Sequence, residues 1–276
     1  MTLTAAHESP RRGLLAIAGA ICILALGACA PKSVQRTEYV GRVACASCHV
    51  AEDSLWQGSH HAVAMEVADT TTVLGDFNDA SYTYNGVTSR FFRRDGRFWV
   101  ATDGPDGALT EYPISYTFGV YPLQQYLIAF PRGRYQALGI AWDSRTRPEG
   151  GQRWYHLYPD EQVDHRDVLH WTGMLQNWNF MCAQCHSTNL QKGYVEAADS
   201  YATTWSEIDV SCEACHGPGS AHVTLAERRK GAADGWTGNT GLTVSFRDTA
   251  PASWVMDTAI GIARRSAPRS NRMEVE

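Results

Sequence analysis

The rhythm of apolar and polar positions changes several times along this chain. Residues 14–28, LLAIAGAICILALGA, are apolar without a break and follow Arg11 and Arg12. Fifteen such residues are short for a membrane span and suit the core of an export signal. After a linker over 29–40, the stretch VAEDSLWQGSHHAVAMEVA at 50–68 reads as a helix. Residues 77–158 then alternate, and are rich in Tyr, Phe and Val. Asp95-Gly96 sits between the apolar-aromatic runs of SRFFRRDGRFWVAT, which predicts a hairpin. DGPDG at 103–107 marks another turn, and PRG at 131–133 separates LQQYLIAF from RYQALGIAW as a second hairpin. From about 160 to 225 the pattern returns to helices and loops. The expected class is α+β, with helices and loops around a cofactor-bearing region and a β-hairpin-rich insert at 77–158.

The apolar run ends in LGAC, with Cys29 last. A small-residue tripeptide before cysteine resembles a bacterial lipoprotein signal, in which Cys29 becomes the lipid-bearing N-terminus. This predicts a signal segment over 1–28 and a mature chain exported to the periplasmic side and lipid-anchored to a membrane. Formal net charge is −5 over 276 residues, which argues against a nucleic-acid partner. With 19% charged and 44% hydrophobic residues the composition is that of an ordinary folded chain.

Cysteine carries the chemistry. Of eight cysteines, Cys22 and Cys29 lie in the signal segment, and the other six form CASCH at 45–49, CAQCH at 182–186 and CEACH at 212–216. Disulfides within each unit would leave the three histidines unexplained. Zinc sites draw on paired Cys-x-x-Cys units, and three do not balance into four-ligand sites. Covalent haem attachment uses all nine residues: Cys45, Cys48, Cys182, Cys185, Cys212 and Cys215 as thioether donors, with His49, His186 and His216 as proximal iron ligands. The expected cofactor is therefore haem c, in three copies. The second and third units are about 26 residues apart, so their haems should be neighbours.

Second axial ligands must come from the remaining histidines. His60 and His61 fall on the expected helix, where adjacent residues point about 100° apart and cannot face one iron, so one of the pair is the candidate, with His61 preferred. His222 follows the third unit through a Gly-Pro-Gly turn. His170 precedes the second unit and is preferred over His156 and His165, for all of which a buried, hydrogen-bonded histidine is the alternative. Met65, Met174 and Met181 are thioether alternatives.

YVGRVACASCHVAEDSLWQGSHHAVAM and GPGSAH resemble the multihaem cytochrome c family related to the tetrahaem cytochrome of ammonia oxidisers. FGVYPLQQYLIAFPRGRYQALGIAWDSR, QRWYHLYPDE and HWTGMLQNWNFMCAQCHSTNL are similar to exported cytochromes in which such a haem domain precedes tetratricopeptide repeats. The resemblance extends over roughly 38–268 and sets the expected cytochrome domain at 41–268. It implies that 269–276 is a truncated tail, because that group continues with a further haem unit and helical repeats. Covalently held haems in close array predict electron transfer with redox partner proteins. The alternatives are a haem enzyme acting on a small inorganic nitrogen compound such as nitrite or hydroxylamine, and a haem-based sensor or scaffold. All three units end in histidine, which weighs against an open catalytic iron.

Overall fold

The structure is a computed structural model that describes residue 2 and residues 37–230, 239–244, 254–257 and 262–265. The expected export signal at 1–28, Cys29, most of the 29–40 linker and the 269–276 tail lie outside the described residues.

Antiparallel strands dominate. They are β1 (Met65–Val67), β2 (Ala80–Tyr84), β3 (Val87–Arg94), β4 (Arg97–Asp103), β5 (Leu109–Phe118), β6 (Leu123–Phe130), β7 (Arg134–Ala137), β8 (Ile140–Asp143) and β9 (Arg153–His156). Their order is β2-β3-β4-β5-β6-β8-β9, with β1 added to β5 and β7 to β6. The first and last strands approach each other. The His156 amide donates to Tyr82 Oη at 3.0 Å, and the Tyr84 and His156 rings stack at 3.6 Å. The sheet is thereby a nearly closed barrel. Both expected hairpins form. Asp95 and Gly96 take φ of 51° and 72° between the paired Arg94 and Arg97, the doubly positive turn that matches strand twist. β6 and β7 pair across the Pro131–Gly133 turn.

Alternation fills the barrel. Phe91, Phe98, Val100, Ile114, Tyr126, Ile128, Leu138 and Trp154 are buried together around Phe77. Phe77 meets Phe91, Phe98, Tyr126 and Trp154 edge-on, with ring centres 5.0–5.7 Å apart. Edge-to-face pairs of this kind add to the gain from area burial. β6 is buried on both faces. Tyr126 and Ile128 join the barrel interior, whereas Leu127 joins Met65, Phe118, Ala137, Trp178, Ala183 and Leu190 in a second cluster outside. This is why LQQYLIAF reads as a nearly continuous apolar run.

Helices are short: α1 (Arg42–Ala46), α2 (Val50–Gln57), α3 (Trp178–Met181), α4 (Ala183–His186), α5 (Cys212–His216) and α6 (Ser220–Arg228). The helix expected over 50–68 stops at Gln57. Gly58 follows, and the Trp56 carbonyl is taken by the Ser59 amide at 2.9 Å and the Ser59 hydroxyl at 2.7 Å. Met65, fully buried, then enters β1 and pairs with Phe118. His60 and His61 consequently lie in turns rather than on a helix.

Candidate haem-attachment site

The three Cys-x-x-Cys-His units converge. α1 and α5, which carry the first and third, pack against each other. The proximity of Cys212, with burial, pushes the Cys45 thiol up, and Cys212 is lowered to about 7 by its interaction with Cys45. A lowered thiol is the more nucleophilic form at neutral pH. Between the cysteines of the third unit lies Glu213, 2% exposed. Its carboxylate accepts the amides of Val40, Gly41 and Gly219 at 2.7–3.0 Å, and so binds the segment before the first unit to the third. The second unit joins through its exit. Thr188 Oγ1 accepts the Ser211 amide at 2.9 Å and donates to the Asp209 carbonyl at 2.8 Å. Among the described residues none of the six cysteines is in a disulfide. Burial raises the Cys182 and Cys215 thiols, and Cys48 and Cys185 are exposed.

Three histidines have one ring nitrogen fixed by the main chain. Nδ1 donates to the Ala64 carbonyl from His186 at 3.0 Å, to the Val244 carbonyl from His216 at 3.4 Å, and to the Thr240 carbonyl from His222 at 2.8 Å. A carbonyl can only accept, so each contact places a proton on Nδ1, the orientation in which a haem ligand would bind through Nε2. The Phe118 ring stands edge-on to His186 at 5.4 Å. His49 has Glu52 Oε2 3.9 Å from Nδ1, and its ring centre is 6.1 Å from that of His222.

The other candidates separate. His60 lies tilted over Tyr121 with ring centres 6.3 Å apart, and His61 presents its main-chain carbonyl to Ala64 and Val210. His170 is 5% exposed and uses both ring nitrogens, Nε2 on Asp103 Oδ2 at 3.1 Å and Nδ1 on Thr172 Oγ1 at 2.8 Å. That is the arrangement of a structural core histidine, the alternative weighed above. Burial works against ionised Asp103, but its hydrogen bond and attraction to His170 prevail and lower its pKa. Burial lowers the pKa of His156. Met65 is core, and Met174 and Met181 are exposed.

Haem fits these residues. The donor set of paired thiols with an adjacent histidine occurs three times, with two of the histidines already oriented by carbonyls. Trp178 Nε1 and Ser211 Oγ, adjoining the second and third units, are buried with no protein partner, as expected beside a polar-edged ring system. Sequence reasoning missed Glu213 and the carbonyl partners at Ala64, Thr240 and Val244. An acidic residue inside CEACH, where CASCH and CAQCH are neutral, was the one available signal.

A family model described as cytochrome c554 and c-prime matches residues 44–81 and 152–217. The two segments hold all three units, and most of the barrel lies between them. Among solved structures, the undecaheme cytochrome from the S-layer of Carboxydothermus ferrireducens is similar at 21% identity and a TM-score of 0.40, over 72% of this chain and 24% of that one. The chain thus spans about a quarter of that protein's length. No curated protein matches.

Proposed function

We propose that this chain, a multihaem c-type cytochrome with a haem region similar to cytochrome c554 and c-prime, passes electrons through three covalently attached haems. The observation that supports it is the convergence of the three units, the first far from the others in sequence, which are joined through Glu213 and Thr188. Cys45 and Cys48, Cys182 and Cys185, and Cys212 and Cys215 would hold the rings, with His49, His186 and His216 on the irons. When bound, haem supplies one-electron chemistry at iron. The protein's part is to fix ligand orientation through the carbonyls behind His186 and His216 and to exclude water with Phe118, Trp178 and Leu190. Closely spaced sites make short electron hops, and a net charge of −5 favours a partner with a basic docking face.

The proposal includes export to the periplasmic side and lipid anchoring through Cys29, which rest on residues 14–29. Distal ligands are drawn from His60, His61 and His222, and His170 is left to its structural pair.

The test is to express the exported chain with c-type haem maturation. The haem-to-protein ratio and the reduced spectrum with and without carbon monoxide are then recorded. Three haems per chain and bands unmoved by the gas are expected. A chain without covalent haem overturns the reading. A large carbon monoxide shift replaces the carrier with a haem enzyme, to be assayed with nitrite and hydroxylamine.

A further inference from the structure

We infer that Glu213 is a potential-setting residue, whose buried negative charge holds down the midpoint potentials of two haems, those of the first and third units. The inference rests on the cytochrome reading above and adds what tunes two of its sites.

Glu213 directly follows Cys212, inside the five-residue loop that would carry the third haem. The same place is Ala46 in the first unit and Ala183 in the second. The acid is 2% exposed, so its charge is little screened by solvent. Its hydrogen bonds all come from main-chain amides. Oε1 accepts from Val40 at 2.9 Å and Gly219 at 2.7 Å, and Oε2 from Gly41 at 2.8 Å and Val40 at 3.0 Å. Amide dipoles offset the cost of burying a carboxylate without supplying a counter-charge, so the negative charge stays in place.

The main chain is shaped to receive it. Val40 and Gly41 lead into α1, and Gly219 leads into α6. Gly41 takes φ of +78°, and the successive amides of Val40 and Gly41 converge on one carboxylate, a concavity that favours an anion. A Cβ at Gly219 would come within 3.2 Å of Oε1, so glycine gives its amide close access. The segment before α1 has a second attachment that does not involve Glu213. The Glu38 amide donates to Ser220 Oγ at 2.8 Å, and the Ser220 amide to the Glu38 carbonyl at 3.1 Å. Exchanging one oxygen of Glu213 for an amide nitrogen therefore leaves that segment anchored.

The charge also reaches the first unit. The Cys45 thiol is pushed up chiefly by neighbouring Cys212 and by burial, and Glu213 adds to the same effect. A charge that disfavours a thiolate at Cys45 disfavours an added electron on a ring bonded there. Ferric haem carries one positive charge more than ferrous haem, so a poorly screened anion stabilises the ferric form and lowers the potential. The second unit is joined to this region through Thr188, on Ser211 and Asp209, and not through Glu213.

The test uses the holoprotein, with its three midpoint potentials resolved by spectroelectrochemical titration. Glu213→Gln removes the charge at nearly constant shape and is expected to raise two potentials and leave the third in place. A loosened loop that merely admits water would favour the ferric form and lower potentials, so the sign separates a lost charge from a lost support. Val40→Pro removes one amide donor and keeps the charge, and is expected to shift the same two potentials downward. A Glu213→Gln protein in which no potential rises, or in which the number that rise is not two, overturns the inference. So does a Val40→Pro protein in which those potentials rise, an outcome that stands even where Glu213→Gln yields no folded protein. Failure of the cytochrome reading is distinct, because the parent protein would then carry no covalent haem.

Discussion

His186 Nδ1 donates to the main-chain carbonyl of Ala64 at 3.0 Å, across 122 residues of sequence. The loop after the first unit therefore orients the histidine proposed as the iron ligand of the second. Ala64 is itself fixed, its carbonyl also accepting the Gly119 amide at 3.0 Å. With the proton on Nδ1, the imidazole would bind iron through Nε2 as a strong donor and hold the potential down. His186→Met is expected to raise the midpoint potential of one haem and leave the others in place, measured by spectroelectrochemical titration. Three unchanged potentials would remove His186 from the ligand set.

His170 and Asp103 give a contrasting prediction. His170→Ala is expected to leave every haem low-spin while destabilising the fold by about 1–3 kcal/mol, the cost of leaving a largely buried carboxylate without its partner. Urea denaturation and electron paramagnetic resonance on one sample check both halves. A new high-spin signal would reinstate His170 as a ligand.

Asp209 governs a pH dependence. Burial, with Glu207 nearby, pushes its carboxyl up to about 6 from an ordinary value of 3.8. A folded-state value above the unfolded one means that ionisation opposes folding. Its contribution weakens the fold above about pH 6 and relaxes as pH falls toward 4. Asp209→Asn is expected to be more stable than the parent at pH 7, with the difference vanishing near pH 4. Paired urea midpoints across that range check it; a pH-independent difference would contradict it.

Phe77 tests the barrel separately from the haems. Phe77→Ala removes the ring that four aromatic neighbours meet, and is expected to cost about 3–5 kcal/mol. The haem-to-protein ratio of the folded protein should not change, because Phe77 lies in the barrel interior, in a different cluster from Cys182. Thermal unfolding and haem quantitation together check this.

What could be read from the chain alone was local. Asp95-Gly96 encodes a turn within four residues, and each Cys-x-x-Cys-His unit is complete within five. The neighbouring placement of the second and third units followed from their short tether, and the structure joins them through Thr188 and Ser211. The end of α2 at Gln57 was missed because the downstream residues are claimed by β5, a partner some 50 residues away. The status of His170 depends on Asp103, 67 residues earlier, and nothing adjacent to His170 announces it. The carbonyls behind His186, His216 and His222 were illegible for a different reason: every residue has one. Their role is set by where the chain passes, not by side-chain identity.

β6 acts as a party wall. One side completes the barrel through Tyr126 and Ile128, and the other, through Leu127, backs the cluster that includes Cys182 and Trp178. Close-packed interiors yield little to applied force. The donors of the second unit are therefore mounted on a stiff plate rather than a loop. In the proposed function, an electron arriving at a haem held there would meet surroundings that need move little to accommodate its charge, which would keep the reorganisation cost of each transfer small. In this view the barrel, whose strands carry no Cys-x-x-Cys-His unit, would steady a reaction that takes place outside it.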